Sequence, residues 1–250
     1  MDAFTFMVCP HDTANNPDKW FQLAQYLSKK LSIGVQFSQS IDFAEYHQKL
    51  SQADLIYANP QDSLKLIKEQ GYIPVARPSN IYDEIVFIAG LQNDAPVMED
   101  ITDEEVISVN SMMVTRVGIK YLFDNNIRPA RIRSQATWMA VVKGIFREKY
   151  KYGLVYKDFY DGLNSLTKSG FTTLGQTSDG TIYHSILIAN RYKEMAGEFQ
   201  SCFVGMSNEN DRSHEILQNL GFERFLAVGN EDILKFEALS TLGEELMVNE

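Results

Sequence analysis

Short apolar runs alternate with amphipathic stretches along most of this chain, and that alternation limits the folds open to it. Runs at 4–8, 35–38, 53–58, 84–89, 106–110, 152–156 and 185–189 have strand length and are rich in Val, Ile, Leu, Phe and Tyr. The segments between many of them repeat apolar residues at helical spacing. Strand and helix in regular succession favour parallel sheets covered by helices on both faces, so the expected class is α/β.

The first turn of the pattern carries most of the information. An apolar strand at Phe4–Val8 stops at Cys9-Pro10-His11-Asp12, and the loop that follows runs to Asn16-Pro17. Asn16 is expected to cap a helix whose first position Pro17 takes, where a missing N–H costs nothing. Trp20, Ala24, Leu27 and Leu31 then share one helical face. Asp42 is expected to cap a second helix, and Asn59-Pro60 opens a third that closes at Gly71. Pro74, in the next run, suggests an edge strand or a strand end. A strand that feeds a helix N-terminus offers N–H groups to an anion, which makes Pro10, His11 and Asp12 candidate ligand residues.

From Leu91 to Glu105 the apolar pattern is diluted by Asn93, Asp94, Pro96 and a cluster of acids, the signature of a crossing to a second lobe. The alternation then restarts: a strand at 106–110, a helix at 115–123, a strand at 130–133, a helix at 136–145, a strand at 152–156, a helix capped by Asp158 and a strand from Thr172. Beyond 189 the sequence reads as helical, at 195–206, 211–220 and 232–246. The expected division is residues 1–90 with 185–250 in lobe 1 and residues 91–184 in lobe 2.

A formal net charge of −10 and a pI near 4.9 exclude the basic footprint of a nucleic-acid binder. No run approaches the roughly 18 apolar residues of a membrane span, so a soluble chain without membrane insertion is expected. No leader pattern opens the sequence, which places the protein in the cytoplasm if the chain is complete and outside it if a leader was removed. Cys9 and Cys202 form no metal pattern and are read as separate thiols, with a disulfide left open. Nothing calls for a metal or a cofactor.

Beyond the alternation, particular residues recur in a recognisable order. They are Pro10, then Trp20 with Ala24-Gln25-Tyr26-Leu27-Ser28, Asp42-Phe43-Ala44, and Ala53-Asp54-Leu55 leading to Asn59-Pro60. Tyr82 before Ile85-Val86, Ser134-Gln135-Ala136 with Val141 and Gly144, and 217–222 complete the set. In this the chain resembles, over nearly its whole length, the phosphonate, phosphite and phosphate binding proteins of ABC transporters, which have the type II periplasmic-binding-protein fold.

The resemblance implies two lobes, each a mostly parallel sheet flanked by helices, joined by crossovers near 89–92 and 182–185, with a ligand in the cleft between them. It places aromatic walls at Phe43 and Tyr82 and the anion-binding loop at 111–116. That loop departs from the family's run of hydroxyls: Ser111-Met112-Met113-Val114-Thr115-Arg116 keeps Ser111 and Thr115 as donors and adds Arg116 as an anion partner. Gln135 stands where many relatives have histidine, and Asp158 falls where aminophosphonate binders hold an amine.

The expected function is a solute-binding protein or sensor domain that closes over a small polar or anionic ligand without chemistry. Its site residues are Pro10, His11, Asp12, Phe43, Tyr82, Ser111, Thr115, Arg116, Gln135 and Asp158. Its partners are the small molecule and an ABC permease or a signalling protein. Two rival readings stay open. One is a cytosolic enzyme on the same fold, of the menaquinone- or thiamin-precursor type, which the Cys9-to-Thr13 segment favours; the other is the effector-sensing domain of a regulator.

Overall fold

The computed structural model describes residues 3–13, 16–40, 42–209 and 211–248, with only the backbone described for His11, Phe43 and Asp211. The chain divides into two compact units, Met1–Ile81 with Tyr183–Phe236 and Tyr82–Ile182 with Glu237–Glu250.

In chain order, unit 1 begins with β1 (Phe4–Val8), α1 (Pro10–Thr13), α2 (Asp18–Leu31), β2 (Val35–Ser38), α3 (Phe43–Lys49), β3 (Leu55–Ala58), α4 (Pro60–Gln70) and β4 (Ile73–Pro78). Unit 2 follows with β5 (Ile85–Gly90), β6 (Glu105–Ser108), α5 (Val114–Asp124), β7 (Arg131–Ser134), α6 (Trp138–Phe146), β8 (Tyr152–Tyr156), α7 (Lys157–Asp161), α8 (Ser165–Lys168) and β9 (Phe171–Gln176). The chain returns to unit 1 as β10 (Ser185–Ile188), α9 (Ala196–Gly205), α10 (Asp211–Leu220), β11 (Phe225–Ala227) and α11 (Asn230–Leu234), and ends in unit 2 as α12 (Glu237–Ser240) and β12 (Met247–Val248).

The two sheets share one plan. Unit 1 has the order β11-β4-β10-β3-β1-β2 and unit 2 the order β12-β7-β6-β8-β5-β9. In each, the first strand pairs in parallel with the second and third, β1 with β2 and β3, β6 with β7 and β8. The strand that arrives by the crossover is inserted antiparallel beside the third, β10 against β3 and β5 against β8. Each unit therefore completes its sheet with a strand from the other half of the sequence.

That exchange moves the expected boundaries. The first crossing falls between Ile81 and Tyr82, ahead of the diluted segment after Gly90, because β5 pairs along its length with β8 and β9. The second falls between Ile182 and Tyr183, and a third, unexpected, between Phe236 and Glu237. A strand carries no local mark of which sheet it joins, whereas acids and prolines mark loops.

Other expectations shift for local reasons. Pro74 is the second residue of β4, which lies inside its sheet between β11 and β10; the pairing shifts register between Ile186 and Leu187, opposite Pro74, so the missing N–H falls at a bulge. Asn16 does not cap α2: the N-terminal position is Pro17, already helical and without a side-chain cap, and Pro10–Thr13 forms a short helix of its own, with the Thr13 hydroxyl donating to the Pro10 carbonyl at 3.0 Å. The helix expected from 136 starts later, at Trp138, since the Gln135 N–H continues the β6–β7 ladder to the Ser108 carbonyl at 2.8 Å and Thr137 caps the helix. The expected helix at 232–246 is broken into α11, α12 and a 3₁₀ turn after Gly243, which has φ 69°. Asp42 caps α3, and Gly71 ends α4 in the left-handed conformation, as read from the sequence.

Both faces of the first sheet are buried. Trp20, Leu23, Leu27, Phe199 and Phe203 cover one side and Tyr46, Leu50, Leu66 and Tyr72 the other. In unit 2, Val86, Ile88, Ile107 and Val155 pack under Val141, Val142 and Ile145 of α6. Burial of this kind, at about 25 cal/mol per Å² of apolar surface, is what holds each carboxyl strand edge in place. Among the described residues no helix is long and apolar enough to cross a membrane.

Candidate functional site

In open α/β sheets ligands bind outside the carboxyl ends of the parallel strands, where following helices begin. The expected site residues fall there in both units. Pro10, His11 and Asp12 follow β1 and Phe43 follows β2; Ser111, Thr115 and Arg116 follow β6, Gln135 follows β7 and Asp158 follows β8. Tyr82 reaches the same edge of the second sheet from the other direction, because β5 runs antiparallel to β8 with Ile85 opposite Tyr156. The side chains of His11 and Phe43 lie outside the described residues.

In unit 1 this edge is acidic and internally bonded. Asp12 Oδ2 lies 3.1 Å from Nδ1 of His184, whose side chain is 2% exposed. The imidazole also lies against the Tyr57 ring, with centroids 5.2 Å apart, and the Asp12 carbonyl accepts from Trp20 Nε1 at 3.1 Å. At the start of α4, Asn59 accepts from the Asp62 N–H at 2.9 Å and donates Nδ2 to Asp62 Oδ2 at 2.7 Å. His47 Nε2 reaches the same carboxylate at 3.2 Å. Asn59 Nδ2 also lies 3.6 Å from the Cys9 sulfur. Helices α1 to α4 thus each carry an acid in the first turn, Asp12, Asp18, Glu45 and Asp62, which opposes a bound anion.

Unit 2 differs at two of its helix starts. Neither α5 nor α6 has an acid in its first turn, so their N-terminal dipoles face the strand edge uncompensated by their own side chains. Ser111 is exposed there. Thr115, in contrast, is fully buried, its hydroxyl bonded to the Val109 carbonyl at 2.8 Å and to Ser108 Oγ at 2.9 Å. Arg116 is turned to the chain's own C-terminal segment, with Nη1 donating to the Leu242 carbonyl at 2.6 Å. Burial lowers its pKa, against the opposing pull of Glu244 and Glu245. Of the side chains expected on this loop, the structure commits Thr115 and Arg116 to internal bonds and leaves Ser111 at the surface.

A second cluster lies at the end of β8. The Tyr156 hydroxyl is within reach of two carboxylates, Asp83 Oδ1 at 3.1 Å and Asp158 Oδ2 at 3.2 Å. Asp83 is buried and Asp158 exposed, and the Trp138 ring lies 6.1 Å from that of Tyr156. Asp83 and the His184 partner of Asp12 are the residues that sequence reading did not place in the site. Both sit next to unit boundaries, where only the crossover pairing brings them to a strand edge. Among the described residues no group of three His, Cys, Asp or Glu is arranged to hold a metal ion. Cys9 and Cys202 are both buried and are not joined in a disulfide.

Comparison with known proteins bears on family and fold. Residues 6–233 match the family model of ABC transporter phosphonate periplasmic substrate-binding proteins. Among solved structures, PhnD1 from Prochlorococcus marinus in complex with methylphosphonate is 12% identical, with a TM-score of 0.72 over 95% of this chain and 96% of that one. A binding-protein component of an ABC phosphonate transporter from Pseudomonas aeruginosa is 12% identical, with a TM-score of 0.72 over 98% of this chain and 87% of that one. The periplasmic aliphatic sulphonate binding protein SsuA from Escherichia coli is 12% identical, with a TM-score of 0.68 over 98% and 87%. At these identities the likeness is one of fold. No curated protein matches the chain.

Proposed function

Because the chain belongs to the phosphonate periplasmic substrate-binding proteins of ABC transporters, and is thus a solute-binding protein, we propose that its ligand is a small oxyanion of the phosphonate or sulfonate class. The observation that carries this is the contrast between the helix starts after β6 and β7 in unit 2 and those of unit 1. In unit 2, α5 and α6 start without acids beside the exposed Ser111, and the acids Asp83 and Asp158 lie at the end of β8, whereas in unit 1 each of α1 to α4 starts with an acid. The anionic group goes to unit 2, held by backbone N–H groups and Ser111. The rest of the ligand meets Tyr82, Gln135 and Asp158 of unit 2.

Closure over the ligand is driven by its stronger binding to the closed form. The partner that reads the closed form is the permease of an ABC transporter, and the place of action is outside the cytoplasm. Support for binding without chemistry comes from Cys9, the nucleophile an enzyme reading would use. Its thiol is 0% exposed, and a buried thiol of this kind is inert.

Native mass spectrometry of the purified protein, followed by titration calorimetry with methylphosphonate and methanesulfonate, tests the proposal. A retained mass matching a phosphonate or sulfonate, or saturable heat with either probe, is expected. A retained amino acid or aromatic compound, with no heat from either anion, overturns the ligand class.

A further inference from the structure

Glu84 is a buried carboxylate, 8% exposed, and it sits three residues past the first crossing between the units. Its Oε1 accepts from the Gly180 N–H at 2.8 Å, and its Oε2 accepts from the Thr177 hydroxyl. Thr177 and Gly180 precede the second crossing. The Thr177 hydroxyl is itself an acceptor for the Ile85 N–H at 2.9 Å. Backbone bonds run beside these: Thr177 N–H to the Ile85 carbonyl at 2.8 Å and Asp83 N–H to the Ile182 carbonyl at 3.0 Å. The two connecting segments, 82–84 and 177–182, are thus joined through one side chain at its two oxygens.

On the unit 1 side, the residues flanking the second and third crossings also touch. The rings of Tyr183 and Phe236 meet edge to face with centroids 5.1 Å apart. Arg77 lies over the Tyr183 ring at 4.3 Å.

We propose that Glu84 and Thr177 form a hinge clamp, which makes the first and second crossings turn as one element and so restricts how freely the two units move about each other. Independent crossings would each bend at their own dihedral angles. A carboxylate that takes one donor from each of two points on segment 177–182, while its own backbone belongs to segment 82–84, removes that independence. The carboxylate suits the task because it is an acceptor at both oxygens, so neither Gly180 nor Thr177 has to be shared. Gly180 has φ +65°, a conformation that lets the turn present its N–H to the carboxylate and that other residues rarely adopt.

The test needs no ligand, so its outcome is separate from that of the oxyanion reading. Spin labels are placed at exposed positions on full-length protein through Lys29→Cys in unit 1 and Lys143→Cys in unit 2, the native cysteines being buried. Distance distributions are measured by double electron–electron resonance for the parent, Thr177→Val, Thr177→Ser and Glu84→Gln. The clamp predicts that Thr177→Val and Glu84→Gln widen the distribution at temperatures where both remain folded, and that Thr177→Ser, which keeps the hydroxyl, restores the parent width. Loss of melting temperature with an unchanged distribution reduces Glu84 to a structural residue and overturns the proposal. If Thr177→Val does not fold, the width in Glu84→Gln decides in the same way.

Discussion

Arg116, at the start of α5, donates through Nη1 to the carbonyl of Leu242 at 2.6 Å, so the cation nearest the expected anion loop is bonded to the C-terminal segment of the same chain. Gly243, next in sequence, lies against Ile119 of α5 so closely that a Cβ there would stand 2.7 Å from the isoleucine side chain. Beyond it, β12 adds in parallel to β7 at the edge of the sheet. Arg116 therefore acts as an anchor for a terminal strap.

Removal of that anchor should be felt in stability. Arg116→Ala is expected to lower the unfolding free energy by about 2 kcal/mol, the range for a hydrogen bond made by a charged group. Amides at 241–248 should lose protection from hydrogen exchange, while binding of an oxyanion changes less than in Ser111→Ala. Urea unfolding, exchange and calorimetry check the three parts. An Arg116→Ala variant with unchanged stability and no binding would return the guanidinium to the ligand.

Thr115 should behave as a structural hydroxyl. Its oxygen is fully buried between Ser108 and Val109, and Thr115→Val leaves those partners short of one bond at a cost of about 1–3 kcal/mol. Thr115→Ser keeps the hydroxyl and should recover most of that loss. Urea midpoints of the two variants settle the point, and equal losses in both would show that the methyl group, not the hydroxyl, matters.

How much of this was legible follows from how local each signal is. The longer strands of both sheets were read because runs such as Ile85 to Ala89 and Leu55 to Ala58 are apolar at every position, and strands buried on both faces require that. Asp42 and Gly71 were legible because caps act within a turn. The role of Arg116 was not, since its partner lies 126 residues away and guanidinium suits a ligand as well as a carbonyl. Likewise β11 and β12 are strands of three and two residues, too short for alternation to show. Ownership of β5 depended on pairing partners across the chain, a relationship with no local residue code.

Asp12, 22% exposed, and the buried His184 should be coupled. Removing Asp12 leaves the buried imidazole without that neighbour, at a cost of about 1–3 kcal/mol. Asp12→Ala is therefore expected to destabilise the protein more than the double change Asp12→Ala with His184→Leu. A double-mutant cycle in urea measures the coupling, and simple additivity would show that the two side chains do not depend on each other.

Acid stability should depend in part on Glu105. Arg133 grips its carboxylate at both oxygens, at 3.0 and 2.8 Å, and this bond holds its pKa below the ordinary value. The folded value lies below the unfolded one, about 4.3, so the stabilisation is complete above that pH and is lost as the pH falls through it and then through the folded value. The pair is partly exposed, so the contribution is small and weakens with salt. Urea midpoints of the parent and Glu105→Gln should differ at neutral pH and converge in acid; a gap that widens in acid would reverse the sign.

The central claim is that a small oxyanion is bound by closure of a two-unit solute-binding protein, and small-angle X-ray scattering with and without saturating methylphosphonate, alongside calorimetry on the same sample, tests it most directly. The account predicts saturable binding with a smaller radius of gyration in the liganded protein. Saturable binding with an unchanged scattering profile would contradict closure, and no binding of methylphosphonate or methanesulfonate would contradict the ligand class.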